Sequence, residues 1–208
     1  MADLARGRYG VTNPIHSAFG QTANSTQSDI AIRSNASWAG MCGLTDAAAI
    51  ITTGVMASIP VPVEYGDVIS TISFAVGATA GATLTQSITA LFSGIATPAL
   101  LAQSTSNVAA DGGFTASGLR TFTLQTPILI TPANAPNGFV YAGYSVTGTT
   151  MPTLASYGSA AAVYYQYLTS QPLRGVAAVT HGSALGATAP ATIASPTVAA
   201  TTPLVILR

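Results

Sequence analysis

VISTISFAV (Val68–Val76), GATAG (Gly77–Gly81) and LTQSITALFS (Leu84–Ser93) decide the fold. In the first run Val68, Ile72, Phe74 and Val76 share one face, with Thr71 and Ser73 on the other. In the last, Leu84, Ile88, Ala90 and Phe92 oppose Thr85, Ser87, Thr89 and Ser93. A period of two over nine or ten residues predicts half-buried antiparallel strands. The small-residue stretch between them turns the chain.

The same pattern extends in both directions. Ile50–Pro62 is apolar and β-branched and ends in Pro60 and Pro62, which predicts an edge strand. Tyr65-Gly66-Asp67 reads as a turn, and Thr131–Gly138 as a Pro/Asn/Gly turn. Further strands are predicted at Ala99–Gln103, Leu119–Thr126 (Phe122 and Leu124 inward), Ile128–Ile130, Phe139–Val146, Tyr164–Leu168, Val176–Thr180 and Leu204–Leu207. No segment pairs a period of 3.6 with helix caps. The expected fold is all-β: an antiparallel β-sandwich or jelly-roll-like domain over 41–208. Residues 1–40 are rich in Asn, Ser and Gln and lack a sustained apolar period, so an extended N-terminal arm is expected there.

Composition narrows the function. The 208 residues include six Arg, no Lys, five Asp and one Glu. Charged residues are 6% of the chain, where about 25% is usual. A net charge of +0 builds no basic face, which argues against nucleic acid as a partner. Cys42 is alone, so no disulfide forms within one chain. At 49% hydrophobic residues the chain is not kept disordered by charge. The uncharged windows Val68–Ala110 and Thr121–Leu173 are broken by Thr, Ser, Gln and Gly, so no membrane-spanning helix is expected. Met1–Gly10 lacks the apolar run of a signal peptide. Thr is β-branched and hydroxylated, and therefore hydrates an outward strand face without charge.

Residues able to do chemistry are few. His181-Gly182-Ser183 offers two members of a triad, but neighbouring residues rarely reach each other, and no Gly-x-Ser-x-Gly elbow occurs. His16 lies in the arm, where packing or an interface is its expected role. Glu64 and Asp67 flank a turn and could touch calcium, although two acids make a weak site. Glu64, Asp67 and Asp111 could supply a glycosidase carboxylate pair, but turn chemistry explains Asp67 and Asp111 more simply. No catalytic residue, metal or cofactor is expected. Five of the twelve charges precede residue 34, and Arg6, Arg8 and Arg33 are the candidate anchoring residues of the arm. Tyr164, Tyr165 and Tyr167 are candidates for an interface or for stacking on a glycan.

The order of blocks carries a family resemblance. LTDAAAIITTGVMASIPVPVEYGDVISTISFAVG (Leu44 onward), GATLTQSITALFSG (Gly81–Gly94), LLAQST (Leu100–Thr105) and FTLQTPILI (Phe122–Ile130) open the series. GFVYAGYSVTGTTMPTLA (Gly138–Ala155) and ATAPATIASPTVAATTPLVILR (Ala187–Arg208) complete it. Together they resemble a β-domain of structural proteins from tailed phages infecting actinobacteria. That family includes head-decoration, head-fibre and minor tail proteins, and it carries no catalytic motif. The resemblance implies a non-enzymatic virion protein, foremost a capsid decoration protein on the head surface. Its expected partners are the major capsid protein and copies of itself, with a trimer as one arrangement. The alternatives are a minor tail or receptor-binding tail protein, and a carbohydrate-binding module that touches host surface glycans.

Overall fold

The computed structural model describes residues 32–35, 44–45, 52–105, 113–115, 117–157, 178–199 and 201–208. All of them belong to one compact unit, Ala31–Arg208. Two antiparallel sheets pack face to face, as the period-two reading requires. One holds β1 (Arg33–Ser34), β13 (Val205–Leu207), β4 (Val68–Val76) and β7 (Gly118–Leu129), in that order. The other runs β11 (Thr197–Val198), β10 (Val179–His181), β3 (Met56–Pro62), β8 (Phe139–Thr150), β5 (Ala82–Phe92), β6 (Leu100–Gln103). A small third sheet joins β12 (Thr202–Pro203), β9 (Ser156–Tyr157) and β2 (Leu44–Thr45). A bridge between Ser104 and Leu124 links the β6 and β7 edges of the two large sheets.

Between the large sheets lies the main core. Ile59 and Val61 of β3, Ile72 and Phe74 of β4, Phe122 and Leu124 of β7 and Tyr144 and Val146 of β8 all point into it. Its centre is aromatic: Phe74 meets Tyr144 edge-on at 4.9 Å, and Phe114 meets Phe122 at 4.9 Å. Such pairs add about 0.5–1.5 kcal/mol each beyond the area they bury. Burial pushes the Tyr144 phenol well above its usual range, so the ring stays neutral.

A second core lies on the opposite face of the six-stranded sheet. Met56, Ile88, Ala90, Phe92, Tyr141 and Val179 project there and are capped by Ala189 and Ile193. The covering segment, residues 182–199, is held by backbone bonds from Leu185 N to Gly54 O, Leu100 N to Ala191 O and Ile193 N to Pro98 O. The Gln103 side chain accepts a further bond from Ala189 N at 2.8 Å. The six-stranded sheet is therefore buried on both faces, and the structure corrects three expectations.

First, β3 is not an edge strand, because it lies between β10 and β8. Its prolines are tolerated because β10 pairs only with Met56–Ser58, leaving Pro60 and Pro62 with the single neighbour β8. Second, Ser87, Thr89 and Ser93 of the β5 region are buried rather than hydrated. A register shift between Leu84 and Gln86 sends Leu84 to the main core and Ile88, Ala90 and Phe92 to the second. Third, Val68 does not share the inward face of Ile72 and Phe74. The β4–β7 register shifts between Ile69 and Thr71, which turns Ile69 inward and leaves Val68 54% exposed. On β7 the reading of Thr as an uncharged outward residue holds, with Thr121, Thr123 and Thr126 exposed.

Candidate functional site

Two constellations bring polar chemistry together. The first is a clasp built on β1. Arg33 and Ser34 pair with Leu207 and Ile206 of β13, and Arg33 is carried to the end of β4, where the turn Glu64–Asp67 places its carboxylates. Asp67 N donates to Glu64 O, and Glu64 N donates to Asp67 Oδ2 at 2.9 Å, so the turn closes on its own acid. Gly66 holds a φ of +96°, which a side chain rarely adopts. Into this turn Arg33 donates from Nε to Asp67 Oδ2 at 2.6 Å and from Nη2 to Asp67 Oδ1 at 2.8 Å. This is a fork-on-fork pair. Glu64 Oε2 lies 3.1 Å from Arg33 Nη2 and is half exposed.

The rest of the clasp acts on β12 and β13. Ser34 Oγ donates to Val205 O, Asn35 Nδ2 donates to Pro203 O, and Val205 N donates to Asn35 Oδ1. Asn35 thus pairs as a strand residue would, with its side chain supplying the ladder. Arg33, Ser34 and Asn35 are all buried. Burial alone would lower the Arg33 pKa, but the Asp67 hydrogen bond and charge, followed by Glu64, outweigh it and hold the guanidinium above its usual value.

The second constellation is a Ser–His pair on the outer face of the six-stranded sheet. Ser58 Oγ and His181 Nε2 are 2.8 Å apart and share a hydrogen bond whose direction follows the ring tautomer. Register explains the meeting, since His181 lies opposite Met56, two residues from Ser58 along β3. Phe92 packs edge-on against the imidazole at 5.4 Å. Gly143 is opposite Ser58, and a Cβ there would come within 2.9 Å of Ser58 Oγ and 3.0 Å of Met56 Sδ. His181 Nδ1 is buried without a partner among the described residues. The hydroxyl that meets His181 belongs to Ser58 and not to its sequence neighbour Ser183. Among the described residues no carboxylate orients the ring, and both members of the pair are buried.

Desolvation lowers the His181 pKa to about 4. The unfolded chain titrates near the ordinary value of 6.5, so between these values it binds more protons than the folded one. His181 therefore contributes stability in full above pH 6.5, and that stability is lost as pH falls through about 4. The expected loss is ~2 kcal/mol. Urea titrations at pH 7.5 and 4.5 check it. His181→Gln should flatten the difference, and an unchanged difference in that variant contradicts the assignment.

Of the other residues singled out, Glu64 and Asp67 do come together, but around Arg33 rather than as an open calcium site. Among the described residues no group of three or more His, Cys, Asp or Glu is placed to hold a metal, and no helix is long and apolar enough to cross a membrane. Arg33 pairs with Asp67 and Glu64. Arg6, Arg8, His16, Cys42, Asp111, Tyr164, Tyr165 and Tyr167 lie outside the described residues. Sequence reasoning missed Ser58 and Asn35. It had one usable signal for the clasp, because two acids three residues apart in a chain this poor in charge call for a cation. No known family model matches the chain, and no curated protein matches it.

Proposed function

We propose that the protein is a non-enzymatic structural component of a phage virion that decorates the capsid surface. The observation that carries this reading is the clasp: a nearly uncharged β-sandwich whose N-terminal segment is locked into its sheet by Arg33, Ser34 and Asn35. The clasp fixes the backbone of Arg33 and Ser34 to β13 of the sandwich. Arg6 and Arg8 in the segment before residue 32 are the residues proposed to meet the capsid subunits, and Arg33 now serves as the joint. The Ser–His pair, sealed in the second core, is read as packing. The resemblance of the blocks from Leu44 to Arg208 to phage structural proteins supports the same reading.

The test compares cryo-electron maps of virions made with and without this chain. Density missing from the outer head surface is the expected result. Loss confined to the tail would move the protein to the tail reading, and identical maps would refute a virion role.

A further inference from the structure

We infer that the Arg33–Asn35 clasp is exchangeable between copies, so that this segment of one chain fills the Asp67 and β13 socket of a second copy and joins the two domains. The inference rests on the self-assembly part of the reading above, and not on which particle the copies build. Two observations carry it. The socket is complete and specific. It offers a buried carboxylate for a guanidinium, two β13 partners for an extended backbone, and Pro203 O and Val205 N for an amide side chain. That is the recipe for capturing an extended segment at a sheet edge, and every copy carries both the segment and the socket. The second observation is where the domain leaves apolar surface uncovered. Five large hydrophobic side chains are exposed among the described residues, and four of them surround the clasp. Ile32, 42% exposed, precedes Arg33. Tyr65, 55% exposed, sits within the Glu64–Asp67 turn, and Val68 follows Asp67. Leu129, 54% exposed, is the cross-strand partner of Val68 and so shares its outward face.

Filled from its own chain, the socket leaves these side chains in water. Filled from a neighbour, it draws a second domain toward them. Eight residues separate Asn35 from Leu44 in the sequence, a contour length of up to roughly 26 Å. Neutral, Thr-rich surfaces add little charge repulsion to the approach.

The full-length chain with Cys42→Ser, Ser34→Cys and Ile206→Cys tests this. Ser34 and Ile206 are directly paired, a separation of about 4.5–5.5 Å that suits a disulfide. Oxidation should give mostly covalent dimers and larger species on a non-reducing gel. A monomer carrying an internal disulfide overturns the inference. A second arm keeps the test open if the cysteine variant fails to fold. Arg33→Ala retains a good socket and Asp67→Ala a good segment, so mixing the two should produce a mixed oligomer by native mass spectrometry that neither gives alone. Absence of the mixed species, or a wild-type protein that is monomeric at micromolar concentration, also overturns it.

Discussion

Asp67→Ala is expected to cost about 3 kcal/mol of folding stability and to lower the melting temperature by roughly 6–12 °C at a fixed protein concentration. The substitution removes both Asp67 acceptors of a buried guanidinium, and among the described residues the half-exposed Glu64 is the acid left to face it. Breaking one side of a buried pair is costly because the other charge stays desolvated, whatever the intact pair is worth. The double variant Arg33→Met with Asp67→Ala removes the orphaned charge. It should recover much of the loss, and thermal melts of the three proteins measure the coupling. A single variant as stable as the wild type would mean that Asp67 is not the partner holding Arg33.

Gly94→Ala should be more damaging still, by more than about 3 kcal/mol or by failure to fold. A Cβ at this position would lie 1.9 Å from the carbonyl oxygen of Phe139. The obstacle is backbone, so no side chain can rotate aside. The strand beginning at Phe139 is fixed by its pairing with β3, while Gly94 N donates to Asn134 O at 2.8 Å. Gly66→Ala is the informative comparison. Its Cβ would meet nothing within 4 Å, and only the φ of +96° opposes it, so a loss of ~1 kcal/mol is expected. Chemical denaturation of both variants separates steric clash from backbone preference. Equal losses would contradict the clash.

The strands of the sandwich were legible because period two survives in Val68–Val76 and Leu84–Ser93. Their faces were only partly so. Each of these strands carries a register shift, at Ile69/Thr71 and Leu84/Gln86, and a shift of one residue exchanges inside for outside without altering the sequence pattern. Ser87 and Thr89 appeared to face water because alternation was taken to mean one wet face. They share the face of Leu91, which lines the main core between the sheets, while the cover supplied by residues 182–199 makes the face of Ile88, Ala90 and Phe92 a second interior, and no local pattern in β5 announces a cover a hundred residues away. The site was less legible than the fold. Ser58 and His181 are 123 residues apart, and only the β3–β10 register brings them together. Arg33 stood out as a rare charge, but the arm reading placed it outside the domain. Its burial depends on Asp67, 34 residues away, and on strand pairing with β13 near residue 207.

The joint also sets an order of consequences for truncation. Removing residues before Ile32 leaves in place the bonds of Arg33, Ser34 and Asn35 to Asp67, Val205 and Pro203, whereas removing Arg33–Asn35 opens the β13 edge and strands Asp67. Incorporation lost by the first deletion therefore reports on attachment, and loss by the second on folding as well.

A structural part of a virion head, as proposed for this chain, is present in many copies. Quantitative mass spectrometry of purified particles, with the major capsid protein as internal standard, tests it most directly. The expected copy number stands in fixed, whole-number proportion to the capsid subunits or capsomers. A handful of copies matching the tail components, or none, would contradict it.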